Sequence, residues 1–280
     1  MFKNPKKSVL FDQDYDALYA LFKTRWNFSL SSYRKQMVQR RVLARMQKLG
    51  LNNVNEYLDY LKKYPQEFEG LIKSLCVPVT SFFRDAQTFK AIEQKVIDPI
   101  IQNHRKSRAL IKVWSAGTSS GEEAYSLAIL FLEKAPEIIL SQKLQIWATD
   151  LDQKAIAIAQ IGEYSQDKVK NLNPHLLKKY FDRTQIGWKV KPFLKQLVRF
   201  EQKDILKSEA LDWEGLDLIL CRNLLIYFDE KEQKKIVEKF IYALRKEGFL
   251  VLGRVEFLPD SLSRFFKTID ERERIFQKLS

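Results

Sequence analysis

The stretch WSAGTSSGEEAYSLA, Trp114 to Ala128, restricts the fold more than any other part of the chain. Ahead of it and into it, Leu110, Ile111, Val113 and Trp114 form an apolar run of strand length, and small turn-forming residues bound it. Ser115, Ala116, Gly117, Thr118, Ser119, Ser120 and Gly121 carry little side-chain bulk, so the backbone here lets a ligand come close. Beyond Gly121, two acids, Glu122 and Glu123, lead into the spacing Tyr125, Leu127, Ala128, Leu130, Phe131, Leu132 of a helix with a buried face. Such a segment is either an ordinary connection in an α/β sheet or one wall of a cofactor site. It has neither the G-x-G-x-x-G pattern nor the Lys-Ser/Thr ending of a phosphate cradle, and a helix that starts in carboxylates suits a cationic or amino-bearing ligand better.

The same alternation recurs downstream. Strand-like runs at 110–116, 144–149, 197–200, 216–221 and 248–252 interleave with helical patterns at 122–134, 153–161 and 231–245. This predicts a mostly parallel sheet with helices on both faces. The front of the chain is different. From about Asp12 to Leu75 the apolar positions keep helical spacing, Gly50 stops the second helix, and Asn53 or Asn55 caps the third, which predicts a small all-helical domain. The sequence shows no internal repeat and no low-complexity tract.

With 45% hydrophobic and 30% charged residues, the chain has the composition of a soluble globular protein. Charges interrupt the amino terminus before a signal-peptide core forms, and no apolar run approaches ~18 residues, so a cytoplasmic location without membrane insertion is expected. Cys76 and Cys221 are isolated, and His104 and His175 are the only histidines; neither a disulfide framework, a metal site nor a Ser-His-Asp triad has support. The net charge of +13 is uneven, with 17 Lys and Arg against 9 Asp and Glu in residues 1–95. Between Ser31 and Lys48 lie Arg34, Lys35, Arg40, Arg41, Arg45 and Lys48 with no acid. On a helix Arg34, Arg41, Arg45 and Lys48 fall within about 60° of one another, beside Val38, Val42, Met46 and Leu49. Such a stripe is either a solvated face or a surface that attracts nucleic acid or an acidic protein.

In a parallel sheet of this kind the ligand sits beyond the carboxyl ends of the strands. Asp150 follows the second strand, where an acid accepts ribose hydroxyls or caps the next helix. Asp204, after the third, is a candidate acceptor for an exocyclic amine or a plain surface acid. The fourth strand ends in Arg222 and Asn223, which are costly to bury unless paired, with Tyr227 close behind as either a site residue or a core aromatic.

Four motifs then occur in order: VTSFFRD (Val79–Asp85), VWSAGTSSGEEAYSLA (Val113–Ala128), ATDLD (Ala148–Asp152) and CRNLLIYFD (Cys221–Asp229). Together they resemble the CheR-type chemoreceptor methyltransferases, and YRKQMVQRRVLARMQKLGL in the helical front resembles that family's N-terminal domain. The resemblance implies a Rossmann-like S-adenosylmethionine (SAM)-dependent methyltransferase domain over 96–280, with a small β-subdomain insert at about 181–200. It places a helical domain for receptor recognition at 1–76 and a linker carrying VTSFFRD at 77–95. The implied reaction moves a methyl group from SAM to glutamate side chains on the cytoplasmic helical region of chemoreceptors, leaving S-adenosylhomocysteine (SAH). By motif, Thr80 and Arg84 would hold the methionyl end of SAM, Glu122 its amino group and Asp150 the ribose. Asp204 and Ile205 would border the adenine, Arg222 and Asn223 would line the cavity, and Arg84 and Tyr227 would lie nearest the transferring methyl. The basic stripe acquires a role in this scheme, with Arg34, Arg41 and Arg45 docking an acidic receptor helix bundle.

The chain departs from the family pattern at four places. Pro78 stands for an Asn two residues before the Thr, Ala124 for a Pro, Asp204 for an Asn, and GRVEF (Gly253–Phe257) for the usual G-H-S-E, with Glu256 as the matching acid. The insert looks short, which favours an enzyme independent of a receptor C-terminal pentapeptide, and the chain is expected to be a monomer. The alternatives are a non-catalytic SAM-binding regulatory or scaffold protein and a nucleic-acid methyltransferase; no recognised RNA-binding module supports the latter, and no nucleic-acid partner is expected.

Overall fold

The computed structural model describes residues 12–75, 80–138, 143–207 and 213–279. They form two compact units: 12–75 with Tyr227–Asp229, and 80–226 with 230–279. The expectations placed on Cys76, Pro78 and Val79, and on the amino-terminal residues up to 11, lie outside the described residues. Among the described residues no helix is long and apolar enough to cross a membrane.

The helical unit consists of α1 (Asp12–Trp26), α2 (Lys35–Leu49), α3 (Val54–Lys63) and α4 (Glu67–Leu75). Helix α2 buries Val38, Val42 and Met46, the apolar stripe read from its spacing. It stops at Gly50, whose φ of 71° is left-handed, and the Gly50 and Leu51 amides bond back to the Gln47 and Met46 carbonyls at 3.2 and 2.9 Å. Of the two candidate caps for α3, Asn53 is the one used. Its side chain accepts from the Glu56 amide at 3.0 Å, and Glu56 in turn accepts from the Asn52 amide at 2.8 Å. Phe22, Trp26, Phe28 and Phe68 pack as an aromatic cluster, with Trp26 stacked on Phe68 at 4.7 Å between centroids.

The second unit opens with a helical run: α5 (Ala86–Ile92), a π turn (Glu93–Ile97) and α6 (Asp98–Ser107). The expected boundary between a 77–95 linker and the next domain falls inside this run. Phe82, Phe89 and Ile92 are buried in the unit's core, so from Thr80 onward the segment is part of the fold.

Five strands alternate with helices as anticipated. They are β1 (Ile111–Ala116), β2 (Leu144–Asp150), β6 (Val198–Gln202), β7 (Leu216–Cys221) and β8 (Leu244–Leu252), all pairing in parallel. Helix α7 (Glu122–Lys134) follows β1, and α8 (Gln153–Ile161) follows β2. Two further strands, β9 (Phe266–Asp270) and β10 (Ile275–Lys278), extend the sheet antiparallel, giving the order β6-β2-β1-β7-β8-β10-β9. The strand order reverses between β1 and β7, and the crevice beyond their carboxyl ends is where a doubly wound sheet binds its ligand.

A separate three-stranded antiparallel sheet joins β3 (Glu163–Tyr164), β4 (Phe181–Arg183) and β5 (Trp188–Val190) in the order β3-β5-β4. This small sheet begins earlier than the 181–200 insert. It recruits the two residues after α8, and the chain is back in the main sheet by Val198.

Candidate active site

The sheet order sets the candidate residues side by side. Asp204 and Ile205 follow β6, Asp150 ends β2, the Gly117–Gly121 loop follows β1, and Arg222–Asn223 follows β7. The loop is drawn against β2 through the Gly117 and Thr118 amides, which donate to the Thr149 carbonyl at 2.8 and 3.0 Å. Ser119 then adopts φ 52°, and its amide donates to Asp150 Oδ2 at 2.7 Å. The Asp152 amide donates to Asp150 Oδ1 at 2.9 Å. Burial raises the pKa of Asp150 above the usual aspartate range, against the pull of these backbone donors.

Gly121 closes the loop with φ 91°. A Cβ there would come within 2.7 Å of the Ala159 Cβ and 2.9 Å of the Phe200 ring, so only glycine lets α7 start this close to α8 and β6. Two hydroxyls of the loop, Thr118 Oγ1 and Ser119 Oγ, are buried with no hydrogen-bond partner among the described residues. Polar capacity of this kind at the switch point of the sheet is what a polar cofactor requires.

Glu122, the first residue of α7, is fully buried. Ser120 Oγ donates to both of its oxygens, at 3.0 and 2.8 Å, and Lys168 Nζ meets Oε1 at 2.9 Å. The same ammonium donates to the Thr80 carbonyl at 2.9 Å. Glu122 and Thr80 are thus brought together, with a lysine between them that sequence reading did not single out.

The turn Thr80–Asp85 is held on α7 by the Phe83 amide, which donates to Ser126 Oγ at 3.0 Å. Phe83 and Asp85 take φ 50° and 62°, and Asn223 takes 60°. With Ser119, left-handed backbone recurs in the motif loops.

Arg222 differs from its expected role as a cavity-lining residue. Its side chain is 2% exposed, and its guanidinium pairs with Asp85 at 2.7 Å and Glu123 at 3.3 Å while donating to the Arg84 carbonyl at 3.3 Å. Glu123 also accepts from Ser115 Oγ at 2.9 Å, and burial raises its pKa although Arg222 opposes the shift. Arg222 therefore clamps the Thr80–Asp85 turn to α7 and β7. Asn223 is fixed through its backbone: its amide and that of Gly253 donate to Glu256 Oε2 at 2.8 and 2.6 Å. The Ile226 amide reaches Glu256 Oε1 at 3.3 Å. Glu256, the acid of GRVEF, is a buried tie between the loops after β7 and β8. Asp204 accepts from the Leu206 amide at 3.0 Å, and the Ile205 carbonyl accepts from Lys239 at 2.9 Å, which shapes the turn after β6.

A family model of the CheR methyltransferase SAM-binding domain matches residues 78–275, and one of the CheR all-alpha domain matches 13–76. The chain belongs to the CheR methyltransferase family. The chemotaxis protein methyltransferase of Borreliella burgdorferi is 31% identical over 248 residues, covering 86% of this chain and 88% of that protein. That of Escherichia coli is 30% identical over 270 residues, covering 93% and 90%. An uncharacterized 104.1 kDa protein of Rhodobacter capsulatus is 32% identical over 247 residues; the alignment takes in 88% of this chain and 26% of that larger protein. Family membership makes this CheR protein a SAM-dependent protein-glutamate O-methyltransferase acting on chemoreceptors.

In the helical unit of this CheR protein, Arg45 does not stand free on the basic stripe. Its guanidinium forks onto the Glu67 carboxylate at 2.7 and 2.5 Å, and the Tyr57 hydroxyl donates to the same carboxylate at 3.0 Å. The hydrogen bond from Arg45 to Glu67 holds the Arg45 pKa above its ordinary value. Arg34 is exposed; its amide donates to the Tyr227 carbonyl at 3.0 Å and its Nε to the Phe228 carbonyl at 3.2 Å. Arg41 is half-buried, with Nε unpartnered among the described residues. Tyr227 belongs to the short stretch that packs with this helical unit.

Proposed function

We propose that this CheR methyltransferase esterifies glutamate side chains on the cytoplasmic helical region of chemoreceptors, as a step of chemotactic adaptation, and that the motif loops of its sheet hold SAM. The observation that carries the reading is the pairing of Asp150 with the Ser119 amide, which fixes an acid at the end of β2 against the small-residue loop after β1. Both Asp150 oxygens accept from backbone amides, and the remaining lone pairs suit ribose hydroxyls. Thr80 and Glu122 serve the amino-acid end, and Asp204 and Ile205 border the adenine. Arg222 and Asn223 keep the surrounding loops in place.

When bound, SAM supplies an electrophilic methyl group on a sulfonium. A glutamate side chain is ionised near neutral pH, so it needs no general base. What the protein adds is alignment and exclusion of water, which supplies up to ~7–11 kcal/mol of barrier reduction in favourable cases. Arg84 and Tyr227 are assigned to orienting the acceptor carboxylate; a contact too strong before reaction would blunt its nucleophilicity. Arg34 and Arg41 are assigned to docking the acidic receptor helices, with Arg45 kept for the fold.

The test is transfer of labelled methyl from SAM to a purified receptor cytoplasmic domain. Label released as methanol by mild base supports the reading, and label stable to base contradicts it.

A further inference from the structure

Glu122 has no exposed surface at all, although it is the residue assigned to an incoming ammonium. Its carboxylate is met by Ser120 and Lys168. Lys168 sits on the short helix Gln166–Val169, directly after strand β3 of the small sheet. Tyr164 of that strand donates its hydroxyl to the Ser120 carbonyl at 2.7 Å, so this segment closes on the Gly117–Gly121 loop through Tyr164 and on the first residue of α7 through Lys168. The Lys168 ammonium lies 2.9 Å from both the Glu122 carboxylate and the Thr80 carbonyl. Glu122 is the acceptor assigned to the α-ammonium of SAM, and Thr80 is assigned to the same amino-acid end. The two ammoniums have the same chemistry, carry the same charge and want the same carboxylate.

They do not fit together. A second cation has no approach to a carboxylate already enclosed, and two ammoniums on one carboxylate repel. The Lys168 side chain is 36% exposed, so it has a route to water that Glu122 lacks. A buried carboxylate is costly without a cation, and exchange of one ammonium for another keeps it paired throughout.

We propose that Lys168 is a displaceable latch on the cofactor site: its ammonium holds Glu122 and Thr80 and swings out when the amino-acid end of SAM docks there. The proposal rests on the assignment of Glu122 and Thr80 to that end. The latch sets cofactor affinity by competition and couples cofactor docking to release of the insert from the loop.

The experiment is calorimetric titration with SAH, which carries the same amino-acid end, and with 5′-methylthioadenosine, which lacks it. Lys168→Met and Lys168→Gln are compared with the wild type, and Glu122→Gln serves as the control. If the lysine is seated about nine-tenths of the time, either Lys168 variant binds SAH about tenfold more tightly. Binding of 5′-methylthioadenosine is unchanged, and the unliganded variants melt at lower temperature because Glu122 loses its partner. Equal or weaker SAH binding by both Lys168 variants overturns the latch. If Glu122→Gln weakens SAH binding while the Lys168 variants match the wild type, the latch alone fails. If Glu122→Gln binds SAH as the wild type does, the assignment of the amino-acid end fails and takes the latch with it.

Discussion

The Arg222 guanidinium meets the Asp85 carboxylate at 2.7 Å, tying the residue after β7 to the turn that precedes α5. Its other arm reaches Glu123 at the start of α7, so one buried side chain joins three motif segments that are far apart in sequence. Its contribution is to the geometry of the site.

Arg222→Met leaves Glu123 buried without its cation, and breaking a buried pair from one side costs about 3 kcal/mol. Urea unfolding should show this loss. Lysine at the same position recovers only part, because a point charge does not span both carboxylates. Unchanged stability with a loss confined to SAH affinity would return Arg222 to the role of a cofactor ligand.

In the proposed site Asp150 accepts ribose hydroxyls as a carboxylate, and burial raises its pKa. Protonation removes acceptor capacity, so SAH affinity falls as pH drops through the folded-state pKa. That inflection lies above the ordinary aspartate value of about 3.9. Asp150→Asn should abolish it and weaken SAH binding roughly tenfold to a hundredfold at neutral pH, the loss expected for hydrogen bonds to a charged acceptor. Calorimetric titration across pH measures both effects.

Gly121→Ala places a methyl group where the nearest atoms are 2.7 and 2.9 Å away and where φ is 91°. Neither the Ala159 methyl nor the Phe200 ring gives way cheaply. The expected loss is about 2 kcal/mol or more in denaturant unfolding, with weaker SAH binding as α7 is pushed off the loop.

The basic stripe on α2 should separate into two kinds of arginine. Arg45→Glu sets a like charge against buried Glu67 and should cost about 3 kcal/mol in unfolding, whatever the substrate. Arg41→Glu should raise KM for a receptor domain, with a dependence on salt that the wild type shows more strongly, and leave SAH affinity unchanged. Receptor methylation by the Arg41 variant equal to that of the wild type would remove the stripe from the docking surface.

The central strands were legible because they are buried on both faces: β7, LDLILC, is apolar almost throughout and buried at every position. The start of α7 was legible from its two acids. Strands β9 and β10 were not, because FKTID and IFQK are short and partly exposed, with no clean run for periodicity to find. The two-residue β3 has no period at all, which is why the insert was placed too late. At the site, sequence spacing located Glu122 at a helix start and Asp150 at a strand end, but not the groups that pair with them. Arg45 and Arg222 read as ligand-binding cations because their carboxylates, Glu67 and Asp85, lie many residues away along the chain. Lys168 carried no motif at all, since one of its two partners is a backbone carbonyl.

Mass-spectrometric mapping of the methyl group after incubation of this CheR protein with SAM and a purified receptor cytoplasmic domain bears most directly on the account. It predicts base-labile methyl esters on glutamate side chains of the receptor helices, reduced in parallel by Asp150→Asn and Arg41→Glu. Methyl groups on lysine, arginine or nucleic acid, or none on any receptor from the same cell while SAM binding is intact, would contradict it.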